Sequence, residues 1–185
     1  MTELSRSRAS GPGQDDPEPD PESVARTIAL RKLAAAPQTR AQLDEAMAKR
    51  GVPEEVRAHV LSRFTDVGLI DDAMFARMWV ESRHASRGLA RRALAHELRK
   101  RGIDNTVIEQ AVAEVDPEAE QAKARELVAR RLPGTRGMDP DKRTRRLAGM
   151  LARKGYPAGV AYRVVRDALA SEGVAQDDLP VQHDW

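Results

Sequence analysis

The sequence predicts an all-α fold built as an elongated array of three tandem three-helix repeats. Three observations predict it. Apolar residues recur with a 3.6-residue period through the body of the chain, while two-residue alternation is scarce. The glycines Gly51, Gly102 and Gly155 stand 51 and 53 residues apart in matching surroundings, and self-similarity at such a period marks a repeat architecture. Aromatic residues are only 3% of the 185, against 41% hydrophobic overall, so a core must come mainly from Ala, Leu, Val, Ile and Met, a helix-forming vocabulary.

Residues 1–21 contain Gly11-Pro12-Gly13 and Pro17-Glu18-Pro19-Asp20-Pro21 and almost no apolar side chain. Too little burial is on offer to offset the entropy of ordering, so this stretch reads as a disordered acidic tail. The first repeat, 22–67, opens with a helix over 22–35 that carries Val24, Ile28 and Leu33. The second, 68–116, opens with a helix over 72–84 capped by Asp71 and carrying Phe75, Met78 and Trp79. The third, 117–172, opens with a helix over 117–132 started by Asp116-Pro117 and carrying Ala124, Leu127 and Val128. In each repeat a helical hairpin follows. Leu43, Leu94 and Leu147 stand eight residues before the three glycines, and Met47, Leu98 and Leu151 four before, which gives one apolar face. Cations occupy the last turn as Lys49-Arg50, Lys100-Arg101 and Arg153-Lys154, where the helix dipole favours them. Glycine then ends the helix in the left-handed conformation. Pro53, Asp104 and Pro157 start the next one, as an N1 proline, an N-cap and a second N1 proline, and Val56, Val107 and Val160 begin its buried stripe. Residues 173–185 read as an acidic C-terminal tail. Helices of about 14 residues are about 21 Å long and pack roughly 8–10 Å apart, so three units in series form a long body suited to gripping a filament or groove.

Several function classes are excluded or disfavoured. Without Cys there is no disulfide scaffold, thiol nucleophile or Cys-based metal site. His59, His84, His96 and His183 lack ligand spacing, and His96-Glu97 has no second zincin histidine. No phosphate-binding glycine loop occurs, and Asp71-Asp72 reads as an N-cap followed by a first-turn acid. Neither a catalytic group, a cofactor nor a metal is expected. No apolar run approaches the roughly 20 residues of a membrane span, so the expectation is a soluble, cytoplasmic protein with no membrane partner.

The charges are unevenly placed. The net charge is +2, yet residues 23–170 hold 29 bases against 19 acids because both tails are acidic. The cations concentrate in two segments: Arg83, Arg87, Arg91, Arg92, Arg99, Lys100 and Arg101 against Glu97 alone, and Lys142, Arg143, Arg145, Arg146, Arg153 and Lys154 with no acid over 142–154. On stacked repeats these segments could join into one basic track that touches phosphates, which makes these thirteen residues the candidate contacts for a polyanion. Base reading is disfavoured because no helix sets Asn or Gln at regular intervals. Phe75 and Trp79, one helical turn apart, read as core rather than as a stacking platform, as do Tyr156 and Tyr162.

The stretch from Phe64 to Arg83 (FTDVGLIDDAMFARMWVESR) resembles the signature of the RecX regulatory proteins, as do Arg87-Gly88, Leu94-x-x-Glu97-Leu98-x-x-Arg101-Gly102-Ile103 and Arg153-Lys154-Gly155-Tyr156. The resemblance covers about residues 23–172. It implies tandem three-helix repeats and a non-enzymatic modulator that docks in the groove of the RecA filament on single-stranded DNA, suppressing ATP hydrolysis, strand exchange and coprotease activity. Its motif residues Gly68, Leu69, Ile70, Phe75 and Trp79 read as turn and core, so they identify the fold and not the contact surface. The segment Pro133–Pro140 lies outside the motifs and reads as a flexible loop. Two other readings remain: an independent nucleic-acid-binding repeat protein, and an adaptor whose apolar grooves take a partner helix.

Overall fold

The computed structural model describes residues 20–173, which form nine α-helices and one 3-10 turn; no strand occurs among the described residues. The helices are α1 (Pro21–Ala35), α2 (Arg40–Ala48), α3 (Glu54–Asp66), α4 (Asp72–Arg87), α5 (Arg91–Arg99), α6 (Asn105–Ala113), α7 (Pro117–Arg131), α8 (Pro140–Arg153) and α9 (Ala158–Ser171). They pack as α1–α3, α4–α6 and α7–α9, each triplet around its own apolar cluster. Most of both predicted tails lies outside the described residues. Asp20 and Pro21 do not: Asp20 caps α1 by accepting from the amides of Glu22 and Ser23, and Pro21 is its first residue.

The three glycine turns share one hydrogen-bond pattern. Gly51, Gly102 and Gly155 donate to the carbonyls of Ala48, Arg99 and Ala152, and the next residues, Val52, Ile103 and Tyr156, reach back to Met47, Leu98 and Leu151. That is the paired bonding of a Schellman end, with the accompanying apolar contact between the same residues, all six of which are buried. Pro53 and Pro157 stand one place earlier than predicted, at the cap position with ψ near 146°, so Glu54 and Ala158 open the next helices. Asp104 caps α6 as expected.

Consecutive repeats are locked by an equivalent device. Thr39 and Ala90 each stand twelve residues before their repeat's glycine, at the N-cap of the middle helix. The Thr39 hydroxyl donates to the carbonyl of Arg101, and the Ala90 amide donates to that of Lys154, both in the next repeat's glycine turn. The following amides, of Arg40 and Arg91, are capped by carboxylates from the next repeat's first helix, Asp72 at 2.9 Å and Glu120 at 2.8 Å. Asp72 is therefore more than a first-turn acid. Gly102 and Gly155 sit against the preceding repeat. A Cβ on Gly102 would collide with the Ala41 Cβ, and one on Gly155 would come within 2.5 Å of the Ala93 amide nitrogen; a Cβ on Gly51 would meet nothing.

Three core expectations need correction. Leu69 and Met78 are 48% and 55% exposed, and Trp79 is half-buried. The reason for Trp79 is electrostatic as much as apolar. Its ring stacks on Phe75, lies between the guanidinium groups of Arg83 at 4.1 Å and Arg101 at 3.7 Å, and donates its indole N–H to Glu97 at 2.9 Å. Tyr156 is buried core, and Tyr162 packs partly buried against the same cluster. The segment after α7 is also more ordered than a flexible loop: residues Leu132–Thr135 form the 3-10 turn, Thr135 is buried, and Asp139 caps α8.

Candidate polyanion interface

The thirteen predicted contact residues divide by what their side chains already hold. Arg143 is not a surface residue. It is 6% exposed, donates to the Thr135 hydroxyl at 3.1 Å and pairs with Glu172, which also receives Arg136. The register explains this: Arg143 stands twelve residues before Gly155, the position of Thr39 and Ala90, and no fourth repeat follows among the described residues to occupy it. Arg91 is likewise committed inward, clamping the carbonyl of Val115 through Nε and Nη2. Arg83 and Arg101 flank Trp79, and burial, then the like charge of Arg83, lowers the Arg101 pKa.

The remaining cations form the surface. Arg87, Arg92, Arg99, Lys100, Lys142, Arg145, Arg146 and Arg153 are exposed. Among the described residues Arg92, Lys100, Lys142, Arg146 and Arg153 have no ion-pair or side-chain hydrogen-bond partner, whereas Arg87 is weakly engaged by Glu97 at 3.9 Å. The first repeat differs, as the sequence suggests: Lys49 pairs with Glu45 and Arg57 with Asp44.

The two basic segments meet at the junction between the second and third repeats. Lys154 donates to the carbonyl of Arg87, and Tyr156 donates to that of Gly88 at 3.2 Å. The Lys154 pKa is lowered, first by burial and then by the positive charges of Arg130, Arg87 and Arg131. Three arginines from two repeats thus lie within electrostatic reach of one ammonium group. Arg130 and Arg131, at the end of α7, fall outside both basic segments and are not among the predicted contacts; the acids that share their helix conceal that the C-terminus of α7 turns toward α8. Such accumulated like charge destabilises the isolated protein and favours association with a polyanion.

Glu97 is held by Trp79 and flanked by two arginines, Asp71 caps α4, and no group of three His, Asp or Glu side chains among the described residues could hold a metal ion. No described helix is long and apolar enough to cross a membrane.

Comparison with known proteins gives the same three-part division. Models of the first, second and third three-helix domains of RecX match residues 25–64, 71–112 and 118–165. The chain is 58% identical over 164 residues to the regulatory protein RecX of Streptomyces coelicolor, covering 89% of this chain and 87% of that one. It is 54% identical over 170 residues to RecX of Thermobifida fusca, with 92% of each covered. The fold is that of the crystal structure of RecX from Lactobacillus salivarius, with a TM-score of 0.75 at 17% identity over 82% of this chain and 98% of that one. Three domain matches in order, together with this identity over nearly the whole length, establish that the chain belongs to the RecX family of regulatory proteins.

Proposed function

We propose that this protein binds the RecA filament on single-stranded DNA and inhibits its ATPase, strand-exchange and coprotease activities, modulating recombination, repair and the SOS response without chemistry of its own. It acts in the cytoplasm, where that filament assembles. The observation that carries the reading is the family membership of all three repeats, joined to the cations Arg87, Arg130, Arg131 and Lys154 that gather at the junction of the second and third. A filament wound on nucleic acid is a grooved polyanion, and an array of coupled repeats can span several of its subunits. The inhibitor shifts the filament toward one state only by its higher affinity for that state.

The test is to titrate the purified protein into RecA with saturating single-stranded DNA and ATP while following ATP hydrolysis. The expected result is a loss of hydrolysis that persists when extra DNA is added. Inhibition abolished by extra DNA supports instead a general DNA binder competing for the strand, a reading favoured by the unpartnered cations. Reversing Arg92, Arg145 and Arg146 to Glu is the matching variant. Arg91 is left alone because its reversal would break the clamp on Val115.

A further inference from the structure

One groove in the third repeat concentrates the cations. It is a cavity of about 380 Å³ between the end of α7, the 3-10 turn and α8, lined by Arg131, Arg145, Arg146 and Arg153 with Leu147 and Met150 at its floor. Gly134 and Thr135 form the remaining rim, and no carboxylate lines it. The geometry follows from the helix: Arg146, Met150 and Arg153 stand at i, i+4 and i+7 on one face of α8, Arg145 is adjacent, and Arg131 enters from the last position of α7.

We infer that this groove is a binding site for closely spaced phosphate groups on one chain, as presented by successive phosphodiesters of a nucleic-acid strand. Four guanidinium groups bring up to twenty N–H donors, about five each, in forks that match phosphate oxygens. Little inside the protein competes for them. Among the described residues Arg131, Arg146 and Arg153 have no ion-pair partner, and Arg145 reaches only the backbone carbonyl of Asp141 at 3.3 Å. Three nearby acids are already used, Glu172 by Arg136 and Arg143, Glu126 by Lys123 and Arg130, and Asp139 by the amides that open α8; Asp141, one turn before Arg145, forms no ion pair with it. Convergent like charges without an internal counterion make a site whose affinity for an anion is prepaid in repulsion. The rim adds a second sign. Gly134 is not in the left-handed region, and a Cβ there would meet nothing within 4 Å, so neither backbone conformation nor packing calls for glycine. A bare backbone at the mouth does let a phosphate approach closely.

The inference rests on the proposed function only in choosing a strand as the source of the phosphates. Its test needs no recombinase. The full chain is titrated against a fluorescein-labelled oligothymidylate by anisotropy over a range of salt, in parent, R131Q/R146Q and the control R31Q/R63Q, which removes the same charge from exposed positions of the first repeat, outside the candidate contacts. The groove variant is expected to bind about tenfold or more weakly and to reduce the slope of log K against log salt by about 1.4, roughly 0.7 for each phosphate of a single strand that is no longer neutralised. The control should lose less than about threefold. Equal losses in both variants, or parental affinity in the groove variant with unchanged circular dichroism, would overturn the inference. Competition by tripolyphosphate and by ATP separates the sources: displacement at micromolar concentration, lost in the groove variant, assigns the groove to free polyphosphates, and displacement only by unlabelled strand assigns it to nucleic acid. A groove variant that has lost the strand yet still inhibits RecA hydrolysis leaves the groove standing and moves the filament contact elsewhere.

Discussion

Tyr156 concentrates the residue-scale physics of this protein. It follows the third glycine turn, fills the third core, and donates its hydroxyl across the junction to the carbonyl of Gly88. Burial, with Glu120 and Glu126 adding to it, pushes its pKa up to about 12 from 10.0. A pKa raised in the folded state means that the neutral phenol is the form the fold favours. The stability it contributes is complete below pH 10 and is lost as pH climbs from 10 through about 12. A tyrosinate absorbance titration is therefore expected to show a phase near pH 12 that Y156F removes. At neutral pH, Y156F should lose about 1 kcal/mol of stability, the usual net worth of one hydrogen bond. The place of this tyrosine in the core is legible from its position after Gly155. Its partner is not, because Gly88 lies 68 residues away and carries no side chain to announce an acceptor.

At the scale of elements, the middle helices show what periodicity can and cannot convey. The apolar stripe, the cationic C-cap and the glycine end of α2, α5 and α8 are all readable, since each is a local preference repeated three times. The starts are not. The helix α5 has Ala90 at its cap with no side-chain acceptor, and its first amide is satisfied by Glu120 from another repeat. The same remoteness divides the predicted contact set: Arg91, Arg143 and Arg101 are cations turned to structural use by partners distant in sequence, which charge counting along the chain does not see. The glycine turns give a clean test. Gly51 and Gly155 both have positive φ, 76° and 89°, but only Gly155 abuts a neighbouring repeat. G51A should cost about 1–2 kcal/mol, the left-handed penalty alone. G155A should cost clearly more in the same denaturant melts, because the Ala93 backbone cannot yield without opening the junction. Equal costs would mean that the close approach carries no energy.

Across the whole molecule, three cores are held in series by a few polar contacts and by close packing at the junctions, where Ala90 enters the third core, so stability is approximately a sum of repeat and junction terms. A chain ending at Asp116 loses the Glu120 cap, the Ala90 and Arg87 bonds to Lys154 and the Tyr156 bond to Gly88. The second repeat should then unfold with about 2–4 kcal/mol less stability, at about 1 kcal/mol per bond. Trp79 reports this directly. It is the only tryptophan of such a chain, and W185F makes it the only one of the full-length reference. A midpoint equal to that of the reference would show that the repeats are energetically independent.

The junctions also have a direction. Each middle helix of the first two repeats offers its opening amide to a carboxylate that only a successor can bring, whereas α8 is started by its own Asp139 and Pro140 and the equivalent position holds the buried Arg143. The third unit thus starts its middle helix from its own residues. The order of the units is therefore written in which of them supplies a carboxylate and which receives one.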